Sequence, residues 1–516
     1  MDELHDLRRH AAAAPQRCAL VFGDQRITYG ELEALANRLA AVLRARGLRR
    51  GEHIASLIGN RPEALALAWA AWRCGLYLTP LSTALAAPEL QHIVADCEAR
   101  ALLADAEFAP LLAAPDGWPA GLQRLAPRGG LPGFDDLRAE IANASPQPAA
   151  DEPPGALMMY TSGTTGAPKG VIRPLLPAGW RGTPPFAADL IALFGIGGAQ
   201  VRYLSTAPLY HAAPLRFALA VTAGGGTAVV MDRFDADGAL ALLAREAITH
   251  SQWVPAMFQR LLALPAERRA AFSAPAHQCA IHGAAPCPPA VKRAMLDWWG
   301  PILLEYYSGS EGVGLTMIDA AEWLAHPGSV GRARKGRLHI VDESGRELAP
   351  GETGLVCFSG IAPFAYHNAP EKTAARSLRS ADGLLLQTFG DLGHADAEGR
   401  LSLSDRLDDM IISGGVNVYP QEIEAVLRRV AGVWDCAVVG MPDERFGERP
   451  VAFIVARHGE DEAALRETLA REIESRLGRI KRPDALHFVA ELPRTPTGKL
   501  LRRRLRGWPA SRPPKA

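Results

Sequence analysis

The spacing of apolar and polar positions changes period several times along this chain, and each change marks an element. From Thr28 the run TYGELEALANRLAAVLRARG sets Leu32, Leu35, Leu39, Val42 and Leu43 on one stripe of helical period, and Gly47 follows where a C-cap is expected. That stripe predicts an amphipathic core helix. A second apolar helix is predicted over residues 63–73, and the runs ALLAD (101–105) and TAVVMD (227–232) read as short buried strands. Helices and strands that alternate in this way predict an α/β fold with parallel sheets flanked by helices. Residues 113–154, rich in Pro, Gly and Ala and weakly periodic, are expected to form a meandering surface connection.

Beyond Gly331 the texture shifts to short strand-like pieces, LHIVD, GLVCFSG and LSLSD, separated by glycine turns. They predict a small β-rich subdomain ending near Asp405. After it, Pro420 suits the first turn of a helix running on through QEIEAVLRRV. Strands around 436–440 and 451–455, a helix over 462–477 and a strand near 486–489 complete a compact α/β unit. The chain is therefore expected to divide into a large unit, 1–405, and a small one, 406–516.

Composition narrows the class without naming the chemistry. The 516 residues are 48% hydrophobic and carry 56 basic against 56 acidic side chains, a globular composition with no global field to draw in nucleic acid or an anionic membrane. Arg502, Arg503, Arg504 and Arg506 form one local basic run, expected to be a solvated face. The seven cysteines are scattered, odd in number and without a CxxC pair, which predicts reduced thiols and neither a zinc site nor a disulfide frame. The start MDELHDLRRH leads into no apolar signal core, and no run of eighteen apolar residues occurs. A cytoplasmic protein without a membrane segment is expected.

The chemically loaded stretch is YTSGTTGAPKGV, residues 160–171. Gly163, Gly166 and Gly170 let the backbone approach a ligand, while Thr161, Ser162, Thr164 and Thr165 add hydroxyl donors. Successive backbone N–H groups in such a loop can nest an oxyanion, and Lys169 adds the point charge a phosphate attracts. Pro168 stands where a GxxxxGK[ST] loop has its second glycine, and Gly170 where that loop has the Mg²⁺-holding hydroxyl, so the stretch is a different phosphate loop.

This loop closely resembles the phosphate-binding loop of the adenylate-forming superfamily, which holds acyl-CoA synthetases, peptide-synthetase adenylation domains and luciferases. Further blocks carry the resemblance, in order, over nearly the whole chain: APLYHAAP (207–214), HGAAPCP (282–288), EYYSGSEG (305–312), TFGDLG (388–393), DRLDDMIISGGVNVYPQEIE (405–424) and PRTPTGK (493–499). The resemblance implies that 1–405 binds ATP and the acyl group and that 406–516 is a mobile domain carrying a catalytic lysine. It implies three substrates or cofactors, ATP, Mg²⁺ and coenzyme A, and a small-molecule carboxylic acid as partner, in a monomer or homodimer.

Residue by residue, the resemblance gives catalytic roles to Lys499, Glu311 and Thr165, with Glu311 holding Mg²⁺. It gives nucleotide binding to Thr161, Ser162, Gly163, Thr164, Thr165, Gly166, Lys169, Gly283, Ala284, Ala285, Tyr307, Ser310, Asp391, Arg406 and Lys499. Tyr307 would stack on adenine and Asp391 would accept from the ribose hydroxyls; outside this context Asp391 is an ordinary turn residue. His211, Trp253, Gly283 and Gly309 are assigned to the acyl pocket, although His211 and Trp253 read equally as core. Asp408 would be the hinge of the small domain, and Gly414 and Gly415 would line the coenzyme A tunnel.

The activity implied is an ATP-dependent carboxylic acid–CoA ligase acting on a hydrophobic fatty, alicyclic or aromatic acid. No cationic selectivity feature stands out. Amino-acid adenylation for a carrier protein is an alternative, but Leu209, Tyr210 and His211 offer no carboxylate to pair a substrate ammonium. A luciferase-like oxygenase would share every block, and a catalytically silent nucleotide-binding homologue would be expected to have lost Lys169, Glu311, Asp391 or Lys499.

Overall fold

The computed structural model describes residues 6–113, 117–161, 168–413, 416–443, 445–495, 498 and 500–507. Two sheets dominate the larger part of the chain. The first is 14-stranded and the second six-stranded. In the first, the strands Cys18–Phe22, Thr227–Val230, Arg202–Ser205, His250–Trp253, Cys279–His282 and Leu303–Tyr307 lie side by side and run parallel. Past Leu303–Tyr307 the same sheet turns antiparallel through Leu315–Ile318 and Ser329–Lys335. The β-rich region expected beyond Gly331 is present and continuous with this sheet, since Ser329–Lys335 pairs with Leu401–Arg406 on its other edge.

The six-stranded sheet is parallel throughout, with His53–Leu57 at its centre between Tyr77–Pro80 and Ala99–Ala104. The helices Tyr29–Ala45, Pro62–Arg73 and Ala212–Ala223 fill the layer between the two sheets and share one core with them: Leu32, Leu39, Leu65, Trp69, Leu215 and Ala218 pack against Leu20, Ile54, Leu78 and Tyr203. The periodicity predicted the first two of these helices. Thr28 closes the start of Tyr29–Ala45 with a reciprocal pair, its hydroxyl accepting from the Glu31 N–H and the Glu31 carboxylate from the Thr28 N–H. Such a cap is worth about 1 kcal/mol. Pro62 starts the next helix at a position where its missing N–H costs nothing.

The surface connection expected over 113–154 is more ordered than its composition suggests. Gln123–Ala126 adds a parallel strand to Ala99–Ala104, and Asp135–Asp136 extends the sheet by one more.

The chain leaves the large sheet at the end of Leu401–Arg406, passes through the 3₁₀ turn Leu407–Asp409 and enters a separate five-stranded sheet at Ile411–Ser413. There the long hairpin Val433–Asp443 and Gly447–Ala456 is covered on one face by the helices Pro420–Leu427 and Glu462–Arg476, through Ile423, Leu427, Leu465, Leu469 and Ile473. The opposite face packs Val439, Val451 and Phe453 against Leu492 and Leu505. Among the described residues no helix is long and apolar enough to cross a membrane.

Candidate functional site

Parallel strands in register bring their carboxyl ends to one edge of the sheet, and three of the singled-out blocks lie there. Arg202–Ser205 runs into the loop that ends at His211, Cys279–His282 into residues 283–285, and Leu303–Tyr307 into residues 308–311. In open α/β sheets this edge is where ligands bind, because loops from several adjacent strands meet over it.

Tyr307 ends its strand and donates its hydroxyl proton to Asp391 Oδ2 at 2.7 Å. The Phe389 ring meets it edge-on, with centroids 5.4 Å apart and planes at 83°. Burial, with the Asp391 carboxylate beside it, holds the Tyr307 hydroxyl well above its ordinary range, so it remains a donor. Asp391 is 6% exposed and sits directly across the ladder from Arg406, whose Nε lies 3.1 Å from Asp391 Oδ1. Three residues from three strands thus form one cluster, joined by a hydrogen bond and an ion pair.

Glu311 closes the next turn. Its Oε1 accepts from the Tyr366 hydroxyl at 2.7 Å, and its backbone carbonyl accepts from Arg173 Nη2 at 2.8 Å. Its Oε2 accepts no hydrogen bond from the described residues. Tyr366 reaches this place because Ala365–Tyr366 pairs with Lys169–Ile172, which in turn pairs with Met159–Thr161. The same Tyr366 ring lies 5.1 Å from Lys169 Nζ, so one tyrosine touches both the acidic and the basic candidate.

Close approach explains two of the small residues. A Cβ at Gly283 would lie 2.7 Å from the Tyr306 carbonyl oxygen. One at Gly309 would lie 2.6 Å from the Phe389 ring and 2.9 Å from Glu311 Oε2. Ala284 takes a left-handed φ of +69°, strain on the order of 1 kcal/mol that for a non-glycine residue collects at ligand-facing turns. Ala285 and Ser310 are partly buried in the same two loops.

His211 precedes the helix Ala212–Ala223 and packs on Tyr210 at 4.5 Å between ring centroids. Burial pushes its pKa down to about 4, so it is neutral at physiological pH, and its Nε2 is buried without a partner. Trp253 is a core residue. It is 1% exposed, packs with Phe234, Phe258 and Trp299, and donates its indole N–H to Ser251 Oγ at 2.6 Å. Strand alternation is the reason: Trp253 faces the outer helices, while its neighbour Gln252 faces the other way and donates to the Tyr306 hydroxyl at 3.2 Å.

Ser162, Gly163, Thr164, Thr165, Gly166, Gly414, Gly415 and Lys499 lie outside the described residues. Thr161 and Asp408 are described through their backbone alone, in the strand Met159–Thr161 and the turn Leu407–Asp409. Gly498 is described, with φ +78°, and a Cβ there would lie 2.8 Å from the side chain of Ala256, in the first turn of the helix Pro255–Leu262 that follows His250–Trp253. Arg173, Tyr366 and Arg216 were not singled out in the sequence. Each stands outside the matched blocks, and for Arg173 and Tyr366 only the contacts with Glu311 reveal them. Among the described residues no group of three or more His, Cys, Asp and Glu could hold a metal ion.

Comparison with known proteins agrees with this geometry. Residues 7–365 match the AMP-binding enzyme family and residues 422–499 the AMP-binding enzyme C-terminal domain. The long-chain-fatty-acid–CoA ligase FadD13 of Mycobacterium tuberculosis (strain ATCC 25618 / H37Rv) is 33% identical over 523 residues, covering 97% of each chain. A feruloyl-CoA synthase of an Amycolatopsis species is 34% identical over 502 residues, covering 96% of this chain and 97% of its own. Among solved structures, o-succinylbenzoate CoA synthetase from Bacillus subtilis, in complex with its acyl-adenylate intermediate, superposes with a TM-score of 0.81 at 25% identity, covering 100% of this chain and 99% of that one.

Proposed function

We propose, from the premise that this chain belongs to the AMP-binding enzyme family, that it is an AMP-forming acyl-CoA synthetase joining a carboxylic acid to coenzyme A at the expense of ATP. In the first half-reaction a carboxylate oxygen attacks the α-phosphorus, the bond to the bridging oxygen breaks, and pyrophosphate leaves with that electron pair. In the second, the coenzyme A thiol loses its proton and its sulfur attacks the acyl carbon, releasing AMP.

The observation that carries this reading is the Tyr307, Asp391 and Arg406 cluster standing beside Glu311 at the carboxyl ends of the parallel strands. The Tyr307 face is a platform for a base. Asp391 uses one oxygen for Tyr307 and the other for Arg406, and each oxygen keeps a second lone pair with which to accept from a ribose diol. Glu311 Oε2 is the oxygen that fits Mg²⁺, an ion usually held by one or two carboxylates together with substrate phosphates and water. When bound, that ion supplies positive charge to the departing pyrophosphate. Lys169 belongs beside the same phosphates, and Lys499 beside the carboxylate and the α-phosphate, where its charge offsets the meeting of two anions. The aromatic layer of Tyr306, Phe194 and Phe217 behind Gly283 supports an acid with an apolar fatty, alicyclic or aromatic body.

The test is pyrophosphate release from ATP and Mg²⁺ over a panel of fatty, aromatic, alicyclic and amino acids, each with and without coenzyme A. Release that one class of acid triggers, with AMP and a thioester forming once coenzyme A is added, is the expected result. Silence with every acid, or a response to amino acids alone, overturns it.

A further inference from the structure

A buried loop without regular structure must find partners for its backbone outside itself, because it has neither the ladder of a strand nor the turns of a helix. Residues 206–211, between Arg202–Ser205 and the helix Ala212–Ala223, are such a loop, with Thr206, Ala207, Leu209 and Tyr210 all buried. Its start is fixed from the neighbouring strand, where the Thr206 hydroxyl donates to the Gln252 carbonyl at 2.6 Å. Its end turns back on itself, the His211 N–H donating to the Pro208 carbonyl at 3.1 Å. The middle is held from the other sheet. Asn60, 6% exposed in the turn after His53–Leu57, accepts from the Leu209 N–H at 2.7 Å and donates to the Ala207 carbonyl at 3.4 Å. The same amide nitrogen donates to the Met231 carbonyl at 2.7 Å, just past Thr227–Val230.

One side-chain amide thus ties the carboxyl ends of three strands from two sheets, its oxygen on an N–H and its nitrogen on two carbonyls. An ionised aspartate has no proton to give those carbonyls, and an apolar side chain serves neither partner. What the amide positions follows from chain order. Leu209 is two residues from His211, whose imidazole packs on Tyr210, so a displaced Leu209 carries the imidazole with it. Along the sheet edge the loop stands three strands from Leu303–Tyr307, about 14 Å at about 4.8 Å per strand. Tyr307, Asp391 and Glu311, the candidates for the base, the ribose and Mg²⁺, gather at that far end. An acid joined to the nucleotide there and lying along the edge brings its acyl body to the loop.

We propose that Asn60 is a positioning residue for the acid: acting through Leu209, it holds the loop 206–211, and with it His211, in place as a wall of the acyl pocket. This rests on the acyl-CoA synthetase reading. Loss of the amide loosens the grip on the acid and leaves the grip on ATP as it was.

The test is steady-state pyrophosphate release by the full chain, with the acid and ATP varied in turn, for the parent, Asn60→Ala and Asn60→Asp, together with the thermal midpoint of each. The alanine variant should raise KM for the acid by about tenfold and leave KM for ATP within about twofold. The aspartate variant carries a further signature. Ionised, its carboxylate faces two carbonyls with no proton to donate; protonated, it has the shape, the donor and the acceptor of the amide. Beside these positions in sequence stand Arg61, which is paired with Asp105 and Glu107, Asp232, and the neutral His211. Burial raises the pKa of such a carboxyl, so KM for the acid relative to the parent should fall toward one as pH is lowered from about 8 to about 6. The ratio for the alanine variant should stay flat. Parental KM values, equal rises for both substrates, a rise for ATP alone, or variants that no longer fold each overturn the proposal, and so does an aspartate variant whose ratio ignores pH. None of these results touches the synthetase reading, which falls only if the unaltered enzyme releases pyrophosphate with no acid.

Discussion

At the scale of single residues, the site is joined by Tyr366. Its hydroxyl donates to the Glu311 carboxylate at 2.7 Å while its ring receives the Lys169 ammonium at 5.1 Å, so one side chain touches both the anion and the cation proposed to serve the reaction. Tyr366→Phe removes the first contact and keeps the second. A hydrogen bond to a charged group is worth about 1.5–3 kcal/mol, and losing it should lower pyrophosphate release by about tenfold and raise the Mg²⁺ concentration needed for half the maximal rate. Thioester formation from supplied acyl-adenylate should be unchanged. A Mg²⁺ titration identical to that of the parent would falsify this positioning role. None of it was legible in the sequence, since Tyr366 and Glu311 are 55 positions apart and meet only because Ala365–Tyr366 is laid against Lys169–Ile172. Tyr307, Asp391 and Arg406 were legible, because a ring, a diol acceptor and a cation stood inside recognisable blocks. Trp253 takes the core side of the two readings the sequence allowed it: a one-residue step along a strand reverses the face, so its neighbour Gln252 points the other way, toward Tyr306.

Among elements, the strand Leu401–Arg406 and the helix Pro420–Leu427 are tied by Asp405, which is 2% exposed. One of its oxygens accepts from the Arg406 N–H at 2.7 Å and the other from the Gln421 N–H at 3.0 Å, at the open end of that helix. Burial outweighs both hydrogen bonds and the nearby Arg502, and it pushes the Asp405 pKa up to about 6. In the unfolded chain the same carboxyl titrates near about 4. Below that value both states hold the proton, and between there and about 6 only the folded state does, so stability from this group is full at the acid end and is lost as pH rises through the window. Asp405→Asn should therefore flatten the change in thermal midpoint between about pH 4 and pH 6 relative to the parent; parallel curves for the two proteins would show that Asp405 does not titrate there. Element prediction succeeded where the pattern was long and capped, as in Tyr29–Ala45, whose stripe and Thr28 cap are both local. It failed for Gln123–Ala126, a four-residue strand whose polar half faces partly outward and which exists because Ala99–Ala104 offers it an edge.

For the whole molecule, the arrangement of its two sheets decides which half-reaction this conformation suits. Gly498 lies against Ala256, in the first turn of the helix that follows His250–Trp253, and Arg503 Nη2 stands 3.8 Å from Glu89, so the C-terminal unit is seated on the larger unit at both places. That seating fits adenylation, in which a lysine beside the α-phosphate is needed. On the proposed mechanism coenzyme A then requires its own path to the acyl carbon, and the proposed hinge is the turn Leu407–Asp409, where the chain passes from the 14-stranded to the five-stranded sheet. A proline there fixes φ near −65° and removes an N–H, which stiffens the turn while leaving the seated pose available. Asp408→Pro is therefore expected to release pyrophosphate at the parental rate and to stall before the thioester, accumulating acyl-adenylate. Lys499→Ala is its mirror image: a charge lost from the point where two anions meet should slow adenylation by about 10²–10³-fold, as removal of other preorganised donors does, while acyl-adenylate supplied from outside is still converted to thioester. Measuring both half-reactions in both variants separates seat from swing. If either substitution depresses the two steps equally, the unit does not alternate between two poses about this turn, and one fixed arrangement must serve both chemistries.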